Sequence, residues 1–126
     1  MFKVLPIQTK DEQKIICEKC GVEFNADLLA YAVSVDNTLA GVCQFKLTDK
    51  GGMIYDLAAT LDHNDSDALF VMGRGALNFI DLCGVHYATY LGEVTDEPLL
   101  LKIGFKKNEN GVFDINLEGF FTDHCH

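Results

Sequence analysis

The sequence predicts an α/β (α+β) fold: a mixed, mainly antiparallel central sheet flanked by helices. Three features carry that expectation. Two hairpin signals, Asp36-Asn37 and Glu109-Asn110-Gly111, each sit between runs of apolar and β-branched residues. The stretch from Gly52 to Gly84 reads as a buried strand, a polar turn and an apolar helix, and Val85 to Leu91 then supplies another strand, the pattern of a crossover. Three helical segments begin at capping residues and stop at Gly21, Gly84 and Gly104. The resulting order is β-α-β-β-β-α-β-α-β-β.

In chain order, Phe2, Val4 and Ile7 alternate across Lys3, Leu5 and Pro6 as a short first strand. Thr9 and Glu12 form a capping box in which each satisfies the other's backbone donor. The helix they start places Ile15, Ile16 and Cys20 on its inner side and stops at Gly21. After a turn at Asn25 to Asp27, Leu28–Val35 and Thr38–Leu47 are strands joined at Asp36-Asn37. Thr48 to Gly52 turns into a central strand, Met53–Leu61, apolar on both faces except at Tyr55, Asp56 and Thr60. Asp62-His63-Asn64-Asp65-Ser66-Asp67 is the following turn, with Asp65 or Ser66 as N-cap. Ala68–Cys83 is apolar all round and reads as a mostly buried helix, with Gly73 and Gly75 inside it as close-packing positions. Thr95-Asp96-Glu97-Pro98 starts a short helix, Asp96–Ile103: a capping hydroxyl, two first-turn acids and a proline whose missing N–H costs nothing there. Phe105–Asn108 and Val112–Leu117 form the last hairpin, and a tail runs from Glu118 to His126.

The whole chain, 1–126, is expected to be one domain with one core, 48% of its residues being hydrophobic. A net charge of −9 with no basic cluster argues against nucleic acid and anionic membranes as partners. No stretch approaches the ~20 apolar residues of a membrane span, and MFKVLPIQTK has no signal-peptide core, so the expectation is a cytoplasmic protein whose five cysteines are reduced thiols.

This order, with Ile103-Gly104-Phe105 directly after the short third helix, resembles the GNAT superfamily of N-acetyltransferases over nearly the whole chain. The hairpin Leu28–Leu47, the strand Ile54–Ala59 and the helix before Gly84 carry the rest of the likeness. The resemblance implies acetyl transfer from acetyl-CoA to an amine, on a small molecule or a peptide. It implies that Tyr55–Thr60 splays away from Val85–Leu91. The pantetheine arm would then lie on the main chain of Leu57, Ala58 and Ala59, and the pyrophosphate on the amides of Ser66, Asp67, Ala68 and Leu69. Helix N-termini bind anions in this way without a charged side chain. On the same implication Asp56, the only carboxylate of the strand, is the general base or holds a water that is, its alternative being a hydrogen-bonded structural acid. Tyr90, or Tyr87, would be the general acid, and His63 a reserve base.

Two positions depart from the family pattern. Leu100 stands where many members carry a tyrosine, and the acidic turn Asp62–Asp67 stands where an Arg or Gln and spaced glycines usually surround the phosphates. Like charges ~4 Å apart repel by about 1 kcal/mol in water and more when desolvated. The rival expectation is therefore a GNAT-shaped, non-catalytic ligand-binding or self-associating protein that has lost CoA binding, with a homodimer one form of it. Phe120 and Phe121 would either pack on the sheet or serve that self-association. A further alternative is a metal site made by Cys17, Cys20, His124 and His126, although Cys17 and Cys20 fall at a helix end rather than in a knuckle turn. No G-x-S-x-G, H-E-x-x-H, Walker or Rossmann motif occurs.

Overall fold

A computed structural model describes residues 1–121. Strands β1 (Phe2–Pro6), β2 (Leu29–Val35), β3 (Thr38–Thr48) and β4 (Gly51–Ile54) are antiparallel neighbours in one eight-stranded sheet. β5 (Ala58–Ala59) pairs with β3 alone. Beyond β4 the sheet continues through β6 (Tyr87–Tyr90), which runs parallel to β4, then β8 (Phe113–Asn116) and, at the far edge, β7 (Lys106–Lys107). The sheet is thus mixed and mainly antiparallel, and the order of elements is the expected one except that the central strand is split into β4 and β5.

Local chemistry accounts for most boundaries. Asp36 and Asn37 take φ values of +50° and +70°, the left-handed pair that a two-residue hairpin turn requires and that short polar side chains tolerate. Helix α1 (Lys10–Lys19) is capped by Thr9, whose hydroxyl accepts from the Glu12 amide at 3.1 Å, so the Thr9 half of the capping box is present. Helix α2 (Ser66–Leu82) starts at Asp65 and ends at Cys83, with Gly84 in the left-handed region. Helix α3 (Glu97–Ile103) is capped by the Asp96 carboxylate, which accepts from the Leu99 amide at 3.1 Å, rather than by the Thr95 hydroxyl.

α1 covers one face of the sheet, while α2 and α3 cover the other. Along β3, Val42 packs with Cys17 and Cys20 of α1, whereas Cys43 and Phe45 belong to the larger core with Met72, Leu77 and Ile80 of α2. Gly73 lets α3 approach: a Cβ there would stand 2.7 Å from Ile103 Cδ1, so the glycine is a packing position. Arg74 closes the end of α3, its Nε donating to the Ile103 carbonyl at 2.6 Å while its guanidinium lies over Phe70 and Phe120. Phe120 thereby packs against the core.

Two expectations are corrected. The inner face of α1 is built from Gln13, Cys17 and Cys20, with Ile16 packed beside them as expected, while Ile15 is 53% exposed. Gln13, Cys17 and Cys20 recur at helical spacing, and Gln13 is admitted to the interior because hydrogen bonds satisfy it. The central strand is also not continuous from Met53 to Leu61; it breaks at Tyr55 to Leu57 into β4 and β5.

β5 approaches β3 closely only because Gly41 lacks a side chain, a Cβ there lying 2.7 Å from both the Ala58 carbonyl oxygen and Leu69 Cδ2. Gly41→Ala should therefore destabilise the protein by about 1–3 kcal/mol in urea unfolding, since a main-chain atom cannot yield as a side chain does. An unchanged midpoint would show that β5 is free to shift.

Candidate active site

The break in the central strand opens a cleft. β4 and β6 pair at Gly52–Ala88, Met53–Thr89 and Ile54–Tyr90, and one more bond joins the Leu91 amide to the Ile54 carbonyl at 2.7 Å. At the next position the chains are still in contact, for a Cβ on Gly92 would lie 2.6 Å from the Tyr55 carbonyl oxygen. Beyond it they separate, as expected for Tyr55–Thr60 and Val85–Leu91. Tyr55 donates its N–H to Gln44 and Thr60 its N–H to Ala40, so this segment stays with β3. By ladder alternation, Ala59, between Ala58 and Thr60, turns its own amide and carbonyl to the edge β6 has left. The cleft has a volume of about 1200 Å³ and is bounded by Tyr55 to Asn64, the loop from Leu91 to Asp96, and the loop after α1.

Asp56 lies at the root of this cleft, inside the break. Gln44 donates to both of its carboxylate oxygens: the main-chain N–H to Oδ1 and the side-chain Nε2 to Oδ2, each at 2.8 Å. Burial raises the Asp56 carboxyl to about 6, and the two Gln44 bonds hold it from rising further. A base with that affinity is ionised near neutrality and still able to take a proton. Gln44 is itself 1% exposed, accepts from Gln13 Nε2 at 2.8 Å, and donates to the Glu23 carbonyl in the cleft wall. Gln13, on α1, is equally buried and accepts from Lys10 Nζ at 3.1 Å.

Sequence reasoning missed this pair of glutamines. Their signal was a polar residue on an otherwise apolar face of each element: Gln44 two residues from Val42 on β3, and Gln13 four residues before Cys17 on α1.

The other expected residues are distributed as follows. Leu57, Ala58, Ala59 and Leu69 line the cleft, and so does His63 at its exposed mouth. Ser66, Asp67 and Ala68 lie outside the lining. The amide of Ala68 is taken by the Asp65 carboxylate at 3.0 Å, and the Asp67 carboxylate faces Lys102 at 3.7 Å. At the β5 edge the main-chain groups of Ala59 are turned to the cleft, whereas at the mouth of α2 the Asp65 carboxylate already occupies the Ala68 amide. Tyr90 lines the cleft, but its hydroxyl donates to the Glu93 carbonyl at 2.8 Å, and burial pushes it up to about 12. Its proton therefore ties the Tyr90–Glu93 turn. Tyr87 donates to Asp114 at 2.6 Å and lies away from the cleft.

Cys17 and Cys20 are buried beside Val42, with thiols pushed by burial to about 11 and about 12. Protonated thiols in such a setting pack as small hydrophobes. Among the described residues no three His, Cys, Asp or Glu side chains gather as a metal set, and His124 and His126 lie outside the described residues.

The Asp56 carboxyl titrates near 3.8 in an unfolded chain and near 6 in the fold. Between those values the unfolded chain releases a proton that the folded one keeps, so rising pH disfavours folding. The stability of the wild type relative to Asp56→Asn should fall by about 3 kcal/mol from pH 3.5 to pH 7. Urea titrations at several pH values will read this, and a flat difference would mean that Asp56 titrates normally.

No protein-family model matches the sequence, and no curated protein matches it. Solved structures do match in three dimensions. The ribosomal-protein-S18-alanine N-acetyltransferase of Escherichia coli superposes with a TM-score of 0.69 over 93% of this chain and 94% of its own, at 9% identity. The spermidine N-acetyltransferase of Vibrio cholerae, in a dodecameric structure, gives 0.71 over 97% of both chains, also at 9% identity. A GNAT family acetyltransferase of Brucella melitensis in complex with acetyl-CoA gives 0.68 over 92% of this chain and 88% of that one, at 11% identity. Identities this low establish architecture alone, and on that ground the chain has the GNAT N-acetyltransferase fold.

Proposed function

We propose that this chain is an acyl-CoA-dependent N-acyltransferase that transfers an acetyl group to an amine. The observation that carries the reading is the broken central strand: among the described residues it leaves the β5 edge unpaired on the cleft side, and it sets a carboxylate at the root of the same cleft. The open edge at Leu57 to Ala59 offers main-chain groups that would pair with the amides of a pantetheine arm, as an added strand would. Bound acetyl-CoA would supply the activated thioester. Asp56, or a water it holds, takes the proton released when the amine nitrogen bonds to the acyl carbon and the C–S bond breaks. The sulfur leaves as a thiolate and is protonated by solvent, Tyr90 being engaged with Glu93. Holding the two reactants against one edge supplies the proximity such a transfer needs.

One observation favours a second reading, a non-catalytic GNAT-shaped ligand-binding or self-associating protein. Asp65 caps the helix that would receive the pyrophosphate, with Asp62 and Asp67 nearby in sequence.

Thermal-shift titration separates the two readings. If acetyl-CoA binds, ligand at 100 times its Kd stabilises the fold by about 2.7 kcal/mol, and a clear rise in Tm is expected. No rise at millimolar acetyl-CoA leaves the second reading. With an acceptor amine in hand, Asp56→Asn should lower kcat by about 10²–10⁴ with little change in KM for the acyl donor. A loss confined to KM would remove Asp56 from the chemistry.

A further inference from the structure

We propose that Gln44 is the positioning residue of this site: backed by Gln13, it fixes the Asp56 carboxylate so that its proton is gained and lost only on the cleft side. The inference rests on the reading of Asp56 as the base, and it follows from a chain of hydrogen bonds whose direction has one solution.

The chain starts at Lys10, an ammonium that can only donate. Its Nζ bonds Gln13 Oε1 at 3.1 Å and the Leu28 carbonyl at 2.6 Å. With its oxygen so occupied, Gln13 presents its NH₂ to Gln44 Oε1 at 2.8 Å, and to the carbonyls of Asn25 and Leu28 at 3.3 and 3.4 Å. Gln44 Oε1 also accepts from the Asn25 amide at 3.2 Å. The NH₂ of Gln44 must then face the other way, where it meets the Glu23 carbonyl and Asp56 Oδ2, each at 2.8 Å. Turning the Gln44 amide over would set its oxygen against two acceptors and its nitrogen against two donors, leaving buried groups unpaired at about 1–3 kcal/mol each.

Asp56 is thus held as an acceptor on both oxygens, Oδ1 by the Gln44 main chain and Oδ2 by its side chain. An incoming proton must occupy a lone pair that Gln44 does not use, on a carboxylate that lines the cleft. A plain structural role would account for two satisfied buried amides, but it does not require them to end on a carboxylate that lines a cavity. Gln44 also bridges two walls of that cavity, since Glu23, Asn25 and Asp56 all line it.

Of the groups buried around Asp56, Cys17 and Cys20 at α1, Cys43 on β3 and Tyr90 on β6 are all raised chiefly by burial and neutral near pH 7. Lys10 is linked to Asp56 through Gln13 and Gln44, and Glu23 is exposed at the rim. Asp56 is therefore the group of this set that changes charge near neutrality.

The test uses Gln44→Met, which removes the amide, and Gln44→Glu, which keeps the Gln13 and Asn25 bonds but places an oxygen against Asp56 Oδ2. The Asp56 carboxyl is followed by carbon-13 NMR titration, its signal assigned with Asp56→Asn. The wild-type midpoint is expected near 6. Both variants lose a bond to the charged form, so the midpoint should rise by about one unit or more. The acidic limb of the transfer rate should rise with it, because a base must be ionised to act, while KM for the acyl donor stays within about twofold. Should Gln44→Met fail to fold, Gln13→Met frees the Gln44 amide without touching Asp56 and should raise the same midpoint. Folded variants whose midpoint stays at the wild-type value would overturn the proposal. So would a moved midpoint with an unmoved rate limb, an outcome that leaves acyl transfer standing with another base. A midpoint that moves in a protein unable to bind acetyl-CoA would sink the transferase reading and keep Gln44 as what fixes Asp56.

Discussion

The architecture depends on one substitution of a side chain for a main chain. Where the central strand breaks, Gln44 of β3 loses the strand partner that would accept its N–H, and a buried amide without an acceptor is not tolerated. Asp56 supplies that acceptor with its carboxylate, while Tyr55 returns the other half of the pairing by donating to the Gln44 carbonyl. This stitch lets one stretch of chain serve two neighbours. Its first part, β4, pairs with both β3 and β6; its second, β5, pairs with β3 and not with β6. The cleft is the space between those two allegiances, and an irregularity of this kind re-aims a side chain toward a site as bulges commonly do.

The cost of the stitch is borne by Asp56. Burial works against its ionised form and the two Gln44 bonds work for it, with burial the larger effect. A residue that only closed a ladder could be neutral and would avoid this penalty. A carboxylate whose charged form is penalised by its own fold is the sort of local conflict that collects at functional sites. Around it the scaffold is firm. α2 and α3 are locked together by Gly73 against Ile103 and by Arg74 on the end of α3, and both rest on the sheet face away from α1.

The mouth of α2 shows the same logic with opposite consequences. Asp65 is a good N-cap because it satisfies the Ala68 amide, and in doing so it fills part of the ground where an anionic ligand would bind. Capping and anion binding compete for the same donors. Among the described residues the open edge of β5 meets no such competition, which is why it, rather than the helix mouth, carries the functional reading.

Much of the fold was legible in the chain because its determinants act over a few residues. Thr9, Asp65 and Gly84 mark helix ends by capping their own turns, and Asp36-Asn37 turns a hairpin by its own dihedral preference. The alternation of apolar residues called for strands, and the crossover from Gly52 to Leu91 forced a parallel pair into an otherwise antiparallel sheet. Asp56 could be picked out as the lone carboxylate of its strand, but its partners could not. Gln13 and Gln44 stand 31 positions apart, and Gln44 and Asp56 12 apart. Each glutamine taken alone looks like a solvent-facing interruption. The sequence by itself therefore determined the elements, their order and the sheet they build. Only the tertiary structure decided that the central strand breaks, that two amides line up behind a carboxylate, and that a cleft opens there. Hydrogen bonds between distant segments have no periodicity to betray them until packing brings their donors and acceptors together.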